Sequence, residues 1–339
     1  MKIKVSGTAV ILLFAASTSM AQTISKVGTT VMTFLKVDAG ARQVGMGSAC
    51  VANTDDALGL YWNPAGIARL KQSHAAFNHI NWIADIDYNF AAIGLPLGGG
   101  GSIGLSATFV SMDPITRTTA EFPQGTGETF DAANYAIAMT YARNLTDRFA
   151  VGGSVKIVNE TIFNCSARGI AFDLGLLFTT QFNGLQLGMS ISNYGGKVRM
   201  DGRDLLIQTD IDKTRHGNNE TINAVLKTES YDLPLFFRVG LSMDLLKGAA
   251  NSNLIVSVDA LHPNDDVEYV NTGAEYRFFN MFALRGGYKA LFARDAEEGL
   301  SMGAGFKVNI MRYQVALDYA WRDFGRLGGI QMFTVGLVF

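Results

Sequence analysis

Beyond Ala21 the chain contains no run approaching the ~18 uninterrupted apolar residues that a membrane-spanning helix needs, so helical insertion is excluded. Cysteine is scarce as well. Two in 339 residues, Cys50 and Cys165, cannot form a disulfide scaffold, and they fall in regions expected at opposite ends of the molecule, which argues against a bridge. Charged residues make up only 17%, with a net charge of −2, so no field is available to gather nucleic acid, and no nucleic-acid partner is expected. The histidines, at 74, 79, 216 and 262, form no metal-ligand spacing with cysteine; His74 and His79, five apart, would lie on opposite faces of a strand. No cofactor, metal or enzymatic activity is expected.

What remains is apolar residues at 48%, and 37 glycines against 6 prolines. The first residues, Met-Lys-Ile-Lys, lead into the apolar run Val10–Ala16 and then Ser19-Met-Ala21. A basic start, a short apolar core and small residues at −3 and −1 describe a cleavable secretory signal over 1–21. No cysteine sits at the new N-terminus, which would be Gln22, so no lipid anchor is indicated.

From about residue 73 the pattern is alternation with period two. In Arg312–Trp321 one face carries Tyr313, Val315, Leu317, Tyr319 and Trp321, and the other Arg312, Gln314, Ala316, Asp318 and Ala320. Alternation alone fits a soluble sandwich equally well. Three features favour a membrane barrel. The segments run to about ten residues, as a tilted bilayer-crossing strand requires. Their connections alternate between short ones and long ones, notably 113–131, 193–231, 290–298 and 322–329. The chain ends on Phe333, Val335, Leu337 and Phe339 along one face, resembling the insertion signal of outer-membrane barrels. The pattern predicts fourteen strands between 74 and 339, hence an all-β, 14-stranded antiparallel transmembrane barrel over 73–339. Such a barrel belongs in the outer membrane of a Gram-negative-type envelope, with lipid around it and both termini periplasmic.

A fourteen-stranded barrel is too wide for strand side chains alone to fill. Residues 22–72 lack sustained alternation and are long enough to fold into the lumen as a hatch, where irregular backbone is tolerated at membrane depth. Within them Asn63 precedes Pro64, which biases it to extended backbone and makes it an N-cap with Pro64 at the first helical position. Asp55 and Asp56 read as the start or cap of the short helix before it, since no histidine or nucleophile is near in sequence. Gly45 and Gly47 follow no βαβ strand, so tight packing on the wall explains them better than a phosphate loop. Arg42 is expected to pair with a lumen carboxylate such as Asp173, Asp244 or Asp318. Among inward charges, Asp173, Arg238, Asp244, Arg285, Arg312 and Asp318 mix both signs, which favours a cross-linked interior over an ion-selective pore. The oxygen-rich stretch 210–220 has its glycine displaced from the place a calcium loop requires and reads as a solvated loop.

Phe34–Ala49, followed by Thr54-Asp-Asp-Ala-Leu-Gly-Leu-Tyr-Trp-Asn-Pro-Ala-Gly66, resembles the N-terminal signature of the PorV/PorQ family, a branch of the FadL-like outer-membrane barrels. Ala142–Arg148, Ile191–Gly196, Asp259–Asp265 and Asp323–Gly328 fit the same family. The resemblance implies a hatch built on Arg42, Gly45, Gly47, Asp55, Asp56, Asn63, Pro64 and Gly66. It also implies one of two roles. PorV-type members act in type IX secretion, meeting a translocon or the C-terminal domain of exported cargo, here through the outer loops. FadL-type members pass hydrophobic small molecules, for which Tyr61 and Trp62 are the expected contacts.

Overall fold

The structure, a computed structural model, describes residues 27–212, 214, 221–247, 251–293 and 296–339. The expected signal segment 1–21 and most of the oxygen-rich stretch 210–220 lie outside them.

Fourteen strands form one antiparallel meander: β1 (His74–Asn81), β2 (Ile86–Pro96), β3 (Ser102–Met112), β4 (Ala132–Thr146), β5 (Phe149–Ile162), β6 (Cys165–Thr179), β7 (Gln186–Gly195), β8 (Phe236–Asp244), β9 (Ser252–Pro263), β10 (Tyr269–Phe278), β11 (Phe282–Leu291), β12 (Leu300–Ile310), β13 (Tyr313–Asp323) and β14 (Gly329–Val338). Each pairs with its neighbours in sequence, and β1 pairs with β14 from His74↔Val338 to Asn81↔Gln331, so no edge is left open. Phe339 and Ser73 exchange two further backbone hydrogen bonds at this seam. Closure satisfies every strand's backbone within the wall, which is what lipid demands.

The side-chain alternation sorts itself as the sequence predicts. Leu174, Met139 and Ile157, 60%, 63% and 56% exposed, point outward, whereas Asp173, Ala138 and Val158 beside them are buried in the lumen. The greasy faces turn to lipid and are not buried against a second sheet. Near one rim Tyr276, Phe278, Phe282 and Phe306 stack in a row at 5.3–5.9 Å, an interfacial aromatic girdle.

The long connections share the rim opposite Phe339. Three connections on the long-loop side are as short as those opposite: 82–85 between β1 and β2, 264–268 between β9 and β10, and Phe163-Asn164 alone between β5 and β6. Phe163 takes φ 51° there, so a two-residue turn suffices. The loop after β7 carries a separate hairpin, Leu206–Thr209 paired with Ile222–Val225.

Residues 30–72 run through the interior. Thr30 bridges Asp232 at the long-loop rim, and Ser73 enters β1 at the opposite rim. The first described residues therefore lie at the rim opposite Phe339, not at the same one.

Candidate functional site

The inner wall is unusually bare, and that bareness receives the N-terminal segment. A Cβ at Gly175 of β6 would stand 2.1 Å from Asn63 Oδ1, at Gly152 of β5 2.6 Å from the Pro64 carbonyl carbon, at Gly188 of β7 2.4 Å from Val51 O, and at Gly273 of β10 2.0 Å from Met46 O. The segment presses its backbone against these places around the circumference. Gly47 answers from its own side: with φ +63° and a would-be Cβ 2.5 Å from Thr272 O, only glycine fits.

Two short helices, α1 (Ala41–Gly45) and α2 (Gly59–Trp62), and a 3-10 turn at Pro64–Arg69 give the segment its shape. Asn63 is extended at φ −155°, and its Oδ1 accepts from Ala65 N with Pro64 at the first helical position. Its Nδ2 donates to Val51 O at 2.9 Å and to Leu176 O of β6 at 3.0 Å. One side chain thus caps a turn, ties the segment to itself and ties it to the wall. Gly66 lies against Thr54, whose Oγ1 would be 2.4 Å from a Cβ there. Ala41 N donates to Thr334 Oγ1 of β14 at 2.8 Å, fixing the start of α1.

Three groups of charges complete the attachment. Arg42 on α1 donates Nε to Glu275 of β10 at 3.1 Å, and Nη1 to Asp56 at 3.0 Å and to Asp55. Glu275 is fully buried and is also held by Arg277 and by Arg285 at 2.6 Å, and Arg285 reaches Asp318 at 2.7 Å. Arg42 therefore pairs with Glu275, Asp55 and Asp56, and not with Asp173, Asp244 or Asp318. Asp55 and Asp56 are its local counter-charges, and Asp56 Oδ1 also accepts from Leu58 N at 2.9 Å ahead of α2. In the second group Asp38 accepts from Lys289 of β11 at 2.8 Å, Arg322 of β13 at 2.6 Å and Ser48 Oγ at 2.7 Å. Burial raises the Asp38 carboxyl, but the Lys289 and Arg322 charges outweigh it and hold it below its ordinary range. In the third, Asp259 of β9 accepts from the backbone N–H groups of Cys50 and Val51 at 2.7 and 2.8 Å. Burial, reinforced by Asp259 and Asp38, pushes the neighbouring Cys50 thiol up, so it stays protonated and inert. Neither Cys50 nor Cys165 is bridged.

Other expected positions fall elsewhere. Tyr61 and Trp62 belong to the packed core: Tyr61 donates its hydroxyl to Val37 O at 2.7 Å, and Trp62, 1% exposed, donates Nε1 to Ala39 O at 2.9 Å. Neither lines the cavities described below. Arg238 lies over the Phe236 and Trp62 rings, 4.5 and 5.6 Å from their centroids. Asp173 pairs with Lys156 at 3.0 Å and accepts from Asn193 N at 2.7 Å, where the β6–β7 register shifts. Asp244 caps the turn after β8, accepting from Leu246 N and Leu254 N. Arg312 sits in the exposed turn between β12 and β13, over the Tyr313 ring, because the strand begins one residue later. A Gly-x-Ser-x-Gly spacing at Gly299–Gly303 runs as regular strand into β12, with Ser301 wholly buried; it forms no nucleophile elbow. Sequence reasoning missed Glu275, Asp38 and Arg322. Glu275 was findable, since Asn271, Gly273, Glu275 and Arg277 share one period-two face.

Two cavities lie at opposite rims. One of about 320 Å³ opens at the short-turn rim below Arg42, lined by Asp55, Asp56, His74, Phe282, Lys307 and Leu337 among others. Another of about 310 Å³ lies at the long-loop rim between Val31, Glu160, Ala167, Val198, Met200 and Tyr231.

Comparison with known proteins agrees with this architecture. Residues 6–162 match the model of UPF0164, described as an uncharacterised protein family. No curated protein matches the chain. Among solved structures the chain is similar to a Pseudomonas aeruginosa FadL homologue (TM-score 0.53, 12% identity, 89% of this chain and 98% of that one). It is likewise similar to the Ralstonia pickettii toluene transporter TbuX (0.54, 12%, 88% and 97%) and the Pseudomonas putida toluene transporter TodX (0.52, 11%, 88% and 96%). At these identities the likeness is one of fold: a closed FadL-like barrel.

Proposed function

We propose that this protein is an outer-membrane barrel that passes hydrophobic small molecules, with residues 22–72 acting as a hatch whose movement opens the lumen. The observation that carries the reading is a closed barrel occupied by a segment tied to the wall through ion pairs and single hydrogen bonds, with a cavity at each rim. Covalent or purely apolar attachment would favour a permanent plug. The attachment is mixed: Val44, Leu60 and Ile67 share a buried apolar cluster with Ile80, Phe90 and Met332 of the wall, while the charged hydrogen bonds, at about 1.5–3 kcal/mol each, are the links that can be given up one at a time as the segment moves. The likeness to two toluene transporters supports an apolar substrate. In this reading the short turns and Phe339 face the periplasm, the long loops face outward, and residues 1–21 direct export.

The test pins the segment to the wall. Thr334 Oγ1 of β14 accepts from Ala41 N at 2.8 Å, so Ala41→Cys with Thr334→Cys, in a background of Cys50→Ser and Cys165→Ser, sets a thiol of the segment beside a thiol of the wall, to be joined by oxidation. Uptake of toluene into proteoliposomes should cease on oxidation and return on reduction. Equal uptake in both states would overturn the hatch.

A PorV/PorQ-type role in type IX secretion is the second reading, favoured by the Leu206–Thr209/Ile222–Val225 hairpin. It stands off the barrel with Leu206 and Val225 more than half exposed and offers unpaired strand edges to a translocon or a cargo C-terminal domain. Deleting the hairpin would then retain exported proteins in the periplasm while leaving toluene uptake intact.

A further inference from the structure

The long-loop cavity has a polarity that the transport reading does not require. Glu160 is an inward position of β5, set between Asn134 of β4 and Ala167 of β6. Its Oε2 is buried without a hydrogen-bond partner. Around it the lining is apolar: Val31, Ala167, Val198, Met200 and the Tyr231 ring. This lining continues into the buried cluster of Met32, Phe34, Leu35, Val158, Ala171 and Leu233. The remaining polar groups of the lining do not reach Glu160 Oε2, the Tyr231 hydroxyl included. Thr228 spends its hydroxyl proton on Met200 O at 2.6 Å, and Glu229 adds a second carboxylate. Among the described residues no Lys, Arg or His lines the cavity, and Lys36 and Lys156 of the interior are engaged elsewhere, with Asp265 at 3.0 Å and with Asp173.

A buried acceptor left unmade is costly, and a pocket with an apolar body and one unpartnered acceptor selects its ligand by the donor that ligand carries. The geometry points to a binding site for amphiphiles with an apolar chain or ring and a hydrogen-bond-donating head, an ammonium above all, with the head on Glu160 and the body against Val198 and Met200. Anionic amphiphiles are disfavoured, because two carboxylates face the cavity and no cation among the described residues of its lining compensates a third. The inference builds on the transport reading by naming which small molecules the outer rim admits first.

The test uses the full-length barrel in nanodiscs and three probes of equal chain length: decylamine, 1-decanol and decanoate. Each competes with a ¹⁹F-labelled decylamine followed by NMR. Decylamine should bind at least tenfold more tightly than decanoate, with decanol between them. Glu160→Gln should lower decylamine affinity at least fivefold and leave decanol within twofold, and Ala167→Phe, which fills the cavity, should weaken all three. The wild-type ranking alone is decisive should either variant misfold. Equal affinities for the three heads, or an amine preference that survives Glu160→Gln in a folded barrel, would show lipid partitioning or a water-filled niche and would overturn the site. Loss of head preference with toluene uptake intact sinks this inference alone; loss of uptake with the preference intact sinks transport alone.

Discussion

Replacing Arg42 by methionine should loosen the N-terminal segment while leaving the barrel standing. Methionine keeps much of the volume and removes the fork that joins Glu275 to Asp55 and Asp56. Breaking a buried pair by deleting one partner costs roughly 3–5 kcal/mol. Here the lower end applies, because Glu275 retains Arg277 and Arg285 and is not stranded, while Asp55 is already half exposed to solvent. A loss of about 3 kcal/mol, at roughly 1.4 kcal/mol per decade, raises the released population of the segment about 100-fold. The strand ladder is untouched, so the cost falls on docking. Hydrogen exchange should accelerate by about that factor over residues 38–60 and remain unchanged in β3–β6, and single-channel recordings should show openings rare in the parent. Unaltered exchange in the segment would refute the role given to Arg42. Equal acceleration in segment and strands would show that the two unfold as one unit, and the hatch argument would fail with it.

Gly47→Ala combines a left-handed φ with a Cβ 2.5 Å from Thr272 O, and should cost about 2–3 kcal/mol of segment docking, read by the same exchange experiment. Asn63→Ala removes a cap and two carbonyl partners at once; a loss of about 2–3 kcal/mol should appear as protease cleavage near Arg69 in a barrel that still migrates as folded on unheated gels. Leu174→Arg, on the lipid face, should lower folding stability in lipid by about 2–4 kcal/mol if β6 crosses the bilayer there, measured by urea titration in vesicles. Asp38 has a folded pKa depressed below its ordinary 3.8, so its contribution is complete above that value and is lost as pH falls beneath it. Segment protection should therefore hold from pH 8 to pH 5 and decline only below about pH 4; a decline beginning near pH 6 would mean another group governs release.

The strand pattern was legible because a strand in a barrel wall has only two environments, lipid and lumen, and a period of two reports both directly. The β12–β13 turn shows the margin of that reading: Arg312 continues the alternation on paper, yet the strand begins at Tyr313 and the charge stays outside. The Asn63-Pro64 corner was legible for a different reason, since a residue before proline is restricted locally whatever surrounds it.

Partner choice inside the barrel was not legible. Asp173, Asp244 and Asp318 were as inward-facing as Glu275, and nothing along the chain says which of them lies opposite Arg42. That depends on how deeply the segment sits and how it turns, and those are set by where wall glycines such as Gly175, Gly188 and Gly273 leave room for backbone. The path of the segment, entering at the long-loop rim and leaving beside Phe339, was decided in the same way. By itself the sequence determined the number of strands, the side of each that meets lipid and the shape of one corner, because these follow from local backbone geometry and side-chain alternation. Only the tertiary structure decided which charges meet, that Tyr61 and Trp62 pack instead of lining a cavity, and that Glu160 is left with an unpartnered oxygen, because each of these depends on residues brought together from far apart in the chain.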